Sequence, residues 1–292
     1  MPRKRRKSAG GGGVVILLAV LVVAGYLAYI AWQKQKSQSG GGGIPEGTGL
    51  VSADGIIFGG EPRARTLGGG AGSEVAFEEL KNDAYDAGYS ESRRDPLWVA
   101  YHVKYNPQAV HIDRPKKFSP DPRTSPPVKE SDFTRSGYQR GHMAPNEAIM
   151  ESFGEEAQLQ TFLLSNICPQ APELNEHVWE RLEKDEREYA KGDGEVWVID
   201  GPVFGDLNGG STERLPSGIA VPEAFYKILM DQSGGRVRVF AVIMPQDVKG
   251  TELPQQFLTS VSKIEEETHL EFLWKLDATA RAEIENKVWP MW

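Results

Sequence analysis

Ser136-Gly137-Tyr138-Gln139-Arg140-Gly141-His142-Met143-Ala144-Pro145-Asn146 sets an arginine and a histidine two residues apart across a glycine. A guanidinium can clamp a phosphate through paired N–H donors. A neutral imidazole near pH 7 can take a proton from an attacking water. Together they suit attack on a phosphodiester, with Arg140 on the phosphate and His142 as general base. An arginine and a histidine in one loop are more often an ordinary hydrogen-bonded pair, so these eleven residues leave both readings open.

Downstream, Ser165-Asn166-Ile167-Cys168-Pro169-Gln170 leads to Leu174-Asn175-Glu176-His177-Val178-Trp179-Glu180-Arg181-Leu182-Glu183. From Asn175 to Lys191 there is no Pro or Gly, and Val178, Leu182 and Tyr189 stand among charges, which predicts a helix. On that helix Asn175 and Glu183 are eight residues apart, about 80° in projection, near one face and two turns apart. An amide oxygen, a carboxylate and waters are hard ligands that suit Mg²⁺. The alternative is that Asn175 merely caps the helix.

Around these blocks the pattern is mixed. Pro96-Leu97-Trp98-Val99-Ala100-Tyr101-His102-Val103 is rich in strand formers, and residues 77–86 read as a helix. Residues 105–132 hold Pro107, Pro115, Pro120, Pro122, Pro126 and Pro127, which predicts a long surface loop. Residues 195–199 read as a buried strand. Residues 225–230 and 237–243 read as a hairpin around Ser233-Gly234-Gly235, and 257–268 as a helix. Strands and helices in this order, without βαβ alternation, predict an α+β fold on a mainly antiparallel sheet. No glycine-rich phosphate loop follows a strand. Cys168 is the sole cysteine, which excludes an intrachain disulfide or a CxxC site and fits a small buried apolar residue.

Hydrophobic residues at 39% and charged residues at 25% argue against wholesale disorder. The first 43 residues hold seven of the 33 bases (Arg3, Lys4, Arg5, Arg6, Lys7, Lys34 and Lys36) and no acid. The remainder therefore sets 26 bases against 41 acids, a net of −15. Such a body repels polyanions at long range, and a nucleic-acid site needs a local basic patch. Residues 111–146 offer one, with Arg114, Lys116, Lys117, Arg123, Lys129, Arg135 and Arg140. Contacts to phosphates position nucleic acid without reading bases.

Val14 to Trp32 carries no charge over nineteen residues, about the length that spans ~30 Å of hydrocarbon as a helix. Tyr26, Tyr29 and Trp32 gather at its C-terminal end, where amphipathic aromatics sit at headgroup level. Five bases before it place the N-terminus in the cytoplasm and the large domain on the outer, periplasmic or extracellular, side. The run's length and the lack of an A-x-A pattern favour an uncleaved single-pass anchor over a signal peptide. The expected organisation is a basic tail, transmembrane helix 14–32 and Gly/Ser linker over residues 1–43, a flexible lead-in over 44–74, and a folded domain over 75–292, its core beginning near Val75.

These blocks resemble, in order, the non-specific DNA/RNA endonucleases of the ββα-metal class, the endonuclease G-like family. The likeness runs through Trp98-Val99-Ala100-Tyr101, residues 118–122, 137–145 and 166–170, Leu174-Asn175, Trp179, Leu182-Glu183 and residues 198–204, and covers roughly residues 80–280. The resemblance implies a ββα-metal core and residue roles. His142 matches the family's catalytic histidine and Arg140 its motif arginine. Asn175 matches the one side chain that binds the metal directly, and Glu183 an acid that orients water on it. Asn166 matches a supportive asparagine of the substrate region. Arg114 or Lys116, both before Phe118, matches a substrate-binding arginine, with Lys116 the favoured choice. The commonest family pattern reads Asp-Arg-Gly-His where this chain has Gln139-Arg140-Gly141-His142.

The expectation is a membrane-anchored endonuclease hydrolysing DNA and RNA to 5′-phosphate products. It would use Mg²⁺, with Mn²⁺ as a substitute, and a homodimer is left open. If unperturbed, His142 would titrate near 6.5. The alternatives are an inactive, surface-tethered nucleic-acid-binding protein on the same scaffold, and a metal-dependent phosphodiesterase acting on smaller substrates.

Overall fold

Strand β5 (Asp95–Lys104) is buried along nine of its ten residues, as expected of a strand covered on both faces and therefore apolar without strict alternation. It lies inside an antiparallel sheet. The strands are β1 (Ile44–Pro45), β2 (Arg63–Ala64), β3 (Glu78–Lys81), β4 (Tyr85–Ser90), β5, β6 (Gln139–His142), β7 (Ile167–Gln170), β8 (Glu195–Val203), β9 (Ala224–Ser233), β10 (Arg236–Pro245), β11 (Leu258–Thr259) and β12 (Leu270–Glu271). The helices are α1 (Asn146–Phe153), α2 (Glu155–Gln160), α3 (Glu180–Asp193), α4 (Val261–Thr268) and α5 (Ala278–Glu285). A π-helical turn, Leu174–Trp179, runs directly into α3.

This computed structural model describes residues 44–45, 50–65, 75–208, 212–233 and 236–292. The main sheet has the order β1-β10-β9-β8-β5-β4-β3, with β11 on β10. All its pairings are antiparallel. The α+β architecture read from the sequence is thus present. The anchor at residues 14–32 lies outside the described residues, and among the described residues no helix is long and apolar enough to cross a membrane.

One face of the sheet packs Trp98, Ala100, Trp197, Ile199, Tyr226 and Ile228 against Val261 and Ile264 of α4 and Ile284 of α5. Leu50, Ile56, Ile57 and Phe58 fill the same core. This corrects the flexible lead-in expected over 44–74: residues 50–65 are ordered, and β2 pairs with β12. The reason is the apolar triplet Ile56-Ile57-Phe58, whose burial outweighs the glycines around it. The expected helix at 77–86 is also corrected. Its residues form β3 and the start of β4, because Asn82 and Asp83 favour a turn and Tyr85 is captured opposite Tyr101 of β5.

The other face carries α3, whose Leu182 and Ala190 are buried, beside Trp179 of the preceding turn. Two short strands, β6 and β7, pair apart from the main sheet, in register Gln139↔Gln170 to His142↔Ile167. With the helix that follows they form a strand–strand–helix unit, and it holds most of the residues singled out in the sequence.

Candidate active site

Strand alternation puts Arg140 and His142 on one face of β6 and Gln139 and Gly141 on the other. His142 lies among aromatic rings, its centroid 5.3 Å from Phe118 and 5.0 Å from Phe162. Phe118 and Phe162 are themselves 5.0 Å apart. Two guanidiniums close the cluster: Arg140 lies 5.0 Å from the Phe118 centroid and Arg114 5.4 Å from that of Phe162. Both distances are within cation–π range. Arg140 Nε and His142 Nε2 are buried and hydrogen-bond to no described residue, and in a cleft of this composition such atoms are open to a ligand or a catalytic role. Of the two candidates near Phe118, both exposed, it is Arg114 whose guanidinium stands against this cluster.

Burial first, and then the charge of Arg114, lower the His142 pKa to about 3. The ordinary value of 6.5 expected from sequence is thereby corrected. The imidazole stays neutral across the physiological range, which a proton acceptor requires.

Asn166 was expected on the substrate; the structure puts it behind the site. It is fully buried. Its Oδ1 accepts from the Ala144 N–H at 2.9 Å, and its Nδ2 donates to the carbonyls of Ala144 (3.0 Å) and Thr161 (2.9 Å). Both amide hydrogens are spent on backbone carbonyls and the side chain is closed off from solvent, so it braces the turn after His142. Arg123 of the basic loop is similarly tied, to Asp121 and to the Lys81 carbonyl, while Arg114, Lys116, Lys117, Lys129 and Arg135 remain exposed.

Asn175 sits on the π-helical turn, not on regular α-helix, so the 80° projection to Glu183 does not hold. It is joined to the histidine strand through Gln139, whose Oε1 accepts from Asn175 Nδ2 at 2.6 Å. Asn175 Oδ1 accepts from no described residue. Glu183 is half-buried on α3 and receives no hydrogen bond from a described residue. Burial pushes its carboxyl up to about 8, with Lys227 opposing and Glu186 and Asp200 adding to the rise. A free amide oxygen and a carboxyl short of positive charge are donors that fit a hard divalent cation. Among the described residues no cluster of three His, Cys, Asp or Glu side chains forms a cage.

Beneath Glu183 lies a polar cluster that sequence reading missed. Lys227 Nζ is 2.5 Å from Glu186 Oε1 and 3.1 Å from Asp200 Oδ2, all three side chains fully buried. Tyr101 donates to Glu186 at 2.9 Å, and Lys227 stands 4.4 Å from the Trp179 ring centroid. The only signal was a lysine inside the apolar run of β9. The roles of Phe118 and Phe162 were likewise invisible, since aromatic residues in loops are usually core.

The strand–strand–helix unit thus carries a buried histidine nitrogen that hydrogen-bonds to no described residue, two guanidiniums over the rings beside it, and an asparagine oxygen that accepts from no described residue. The chain belongs to the DNA/RNA non-specific endonuclease family, whose model matches residues 69–279. It is 32% identical over 208 residues to the human mitochondrial nuclease EXOG, covering 66% of this chain and 56% of the relative. It is 30% identical over 222 residues to a nuclease of Nostoc sp., covering 72% of this chain and 77% of that one. The chain therefore spans just over half the length of the EXOG relative. A solved structure of an EndoG/EndoGI complex, described as showing the mechanism of EndoG inhibition, superposes with a TM-score of 0.62 at 26% identity, over 68% of this chain and 86% of that one.

Proposed function

We propose that this chain is a membrane-anchored, Mg²⁺-dependent endonuclease that cleaves DNA and RNA with little sequence preference. The observation that carries the reading is His142 Nε2, buried and unpartnered between two rings that each carry a guanidinium. In this reading Arg114 and Arg140 bind the scissile phosphate by charge and paired N–H donors. His142 Nε2 takes a proton of the attacking water, the bond from phosphorus to the 3′ oxygen breaks, and that oxygen takes a proton from solvent water, giving a 3′-hydroxyl and a 5′-phosphate. Glu183 orients water beside Asn175. When bound through Asn175 Oδ1, Mg²⁺ would stabilise negative charge developing on the phosphate and the leaving oxygen. No step uses a ribose 2′-hydroxyl, which is why both nucleic acids serve.

The protein incubated with plasmid DNA and with single-stranded RNA, with Mg²⁺ or with a chelator, tests the reading. Cleavage of both polymers with Mg²⁺ and of neither with chelator is expected; binding without cleavage under both conditions would instead identify a tethered binding protein. The anchor reading is supported by the uncharged run 14–32 and the bases before it. The full-length chain should sediment with membranes, and protease added outside should degrade the large domain.

A further inference from the structure

Glu176, Gln139 and Asn175 form a chain of side-chain hydrogen bonds whose direction is fixed from one end. Gln139 Nε2 donates to Glu176 Oε1, and Gln139 Oε1 accepts from Asn175 Nδ2 at 2.6 Å. Carboxamides are nearly symmetric in shape, so space alone does not select which end of Gln139 or Asn175 faces which way. Charge does, because a carboxylate only accepts hydrogen bonds. Glu176 draws the NH₂ group of Gln139 toward itself and so turns the Gln139 carbonyl to Asn175. That carbonyl takes the NH₂ group of Asn175 and leaves Oδ1 pointing away from the relay.

We propose that Glu176 and Gln139 are positioning residues that set the polarity of the Asn175 amide, so that its oxygen and not its nitrogen faces a divalent cation. The proposal rests on the reading of Asn175 as the metal ligand. Asn175 and Glu176 are neighbours on the π-helical turn and Gln139 lies on β6. One glutamine therefore couples the histidine strand to the metal-binding turn. An amide at 139 is also what lets a carboxylate occupy 176: an aspartate at 139 would accept from Asn175 without help, but would face Glu176 as a like charge.

The test reads Mg²⁺ binding to the protein without nucleic acid, by calorimetry and by the Mg²⁺-dependent rise in Tm. Glu176→Lys reverses the relay, since an ammonium draws the Gln139 oxygen and turns its NH₂ group to Asn175. Loss of about tenfold in Mg²⁺ affinity is expected, the scale of one misdirected hydrogen-bonded ligand. Glu180→Lys, the same charge change at an exposed position at the start of the adjoining α3, should cost much less. The double variant Q139D/E176K should recover most of the affinity, because the carboxylate introduced at 139 accepts from Asn175 and from the new lysine together. Equal losses in E176K and E180K would reduce the effect to long-range charge and overturn the proposal. So would a double variant no better than E176K. Asn175→Ala separates the two levels: it should abolish the Mg²⁺ response, and a full response in that variant would remove the metal reading and the relay with it.

Discussion

The side-chain amide of Asn166 grips the Ala144 residue at both ends of its backbone, accepting from its N–H at 2.9 Å and donating to its carbonyl at 3.0 Å. Met143 N–H in turn bonds to the Asn166 carbonyl at 3.0 Å. The segment leaving His142 is thereby fixed to the start of β7, and the imidazole inherits its position from a fully buried residue behind it.

Asn166→Ala should therefore lower kcat with little change in KM, and lower stability with it. Deleting the amide strands several buried backbone groups, a loss of about 3 kcal/mol at typical cost per unsatisfied group. For a domain of this size that is roughly a 6–12 °C fall in Tm. Calorimetry and steady-state kinetics on the same preparation check both parts. A variant that instead raised KM alone would return Asn166 to the substrate.

Gly141 separates Arg140 from His142, and a Cβ there would overlap the Gln170 side chain. Gln170 is fully buried, so its side chain has no open space to enter. Gly141→Ala should push β6 from β7 and cost about 1–3 kcal/mol, the usual range for overpacking, with a larger loss of activity because both functional side chains shift. Adding Gln170→Ala should restore part of the Tm and activity. Failure of the double variant to improve on the single would show that backbone, not this contact, sets the need for glycine.

How much of this was legible in the sequence depended on the range of the interaction. Local pattern sufficed for β5, β8 and the β9–β10 hairpin, where runs of apolar and β-branched residues coincide with turn residues. It failed at 77–86, where Phe77, Leu80 and Ala84 fit a helical spacing and only pairing with β5 decides for strand. His142, Arg140 and Asn175 stood out as candidates because they sit in short, recognisable blocks. The placement of Phe118, Phe162 and Arg114 around His142, the backward-facing role of Asn166 and the burial of Lys227 depend on contacts between residues tens of positions apart. No periodicity reports such contacts.

Lys227 is the only positive partner within bonding distance of Glu186 and Asp200 among the described residues. Burial works against its charge, but Glu186, Asp200 and Glu183 together raise its pKa above the ordinary value. Lys227→Met keeps the volume and removes the charge, leaving two buried carboxylates uncompensated at a cost of about 3–5 kcal/mol. Asp200 is already pushed up to about 7, by burial first, with Lys227 opposing. A raised acid pKa means that the native state holds a proton the unfolded state lacks, so this group's contribution to stability falls as pH rises from about 4 to 7. Melting temperatures from pH 5 to 8 should show that decline steepened in the Lys227→Met variant. A flat difference between the two proteins would mean that the carboxylates find other compensation.

His142 allows the sharpest test, because a proton acceptor and a packing residue respond differently to the same change. His142→Asn should cut kcat by about 10²- to 10⁴-fold, the usual contribution of a positioned base, while nucleic-acid binding persists. Burial and the nearby Arg114 hold the native pKa at about 3, below the ~6.5 of an unfolded histidine. As pH falls through 6.5 the unfolded chain takes up a proton that the native state refuses, so stability drops from there toward pH 3. His142→Asn should remove that part of the acid sensitivity while His102, also lowered to about 3 by burial, retains its own. In a histidine Cε1–H titration, the resonance missing from the variant should stay at its neutral position from pH 8 to pH 5. The acid limb of kcat/KM should likewise show no inflection near 6.5 from this group. A resonance that titrates near 6.5 would mean that the ring is open to water and Arg114 is distant. Near-normal turnover in the variant would take the general-base role away from His142 and leave Arg114 and Arg140 as a phosphate clamp whose proton acceptor lies elsewhere.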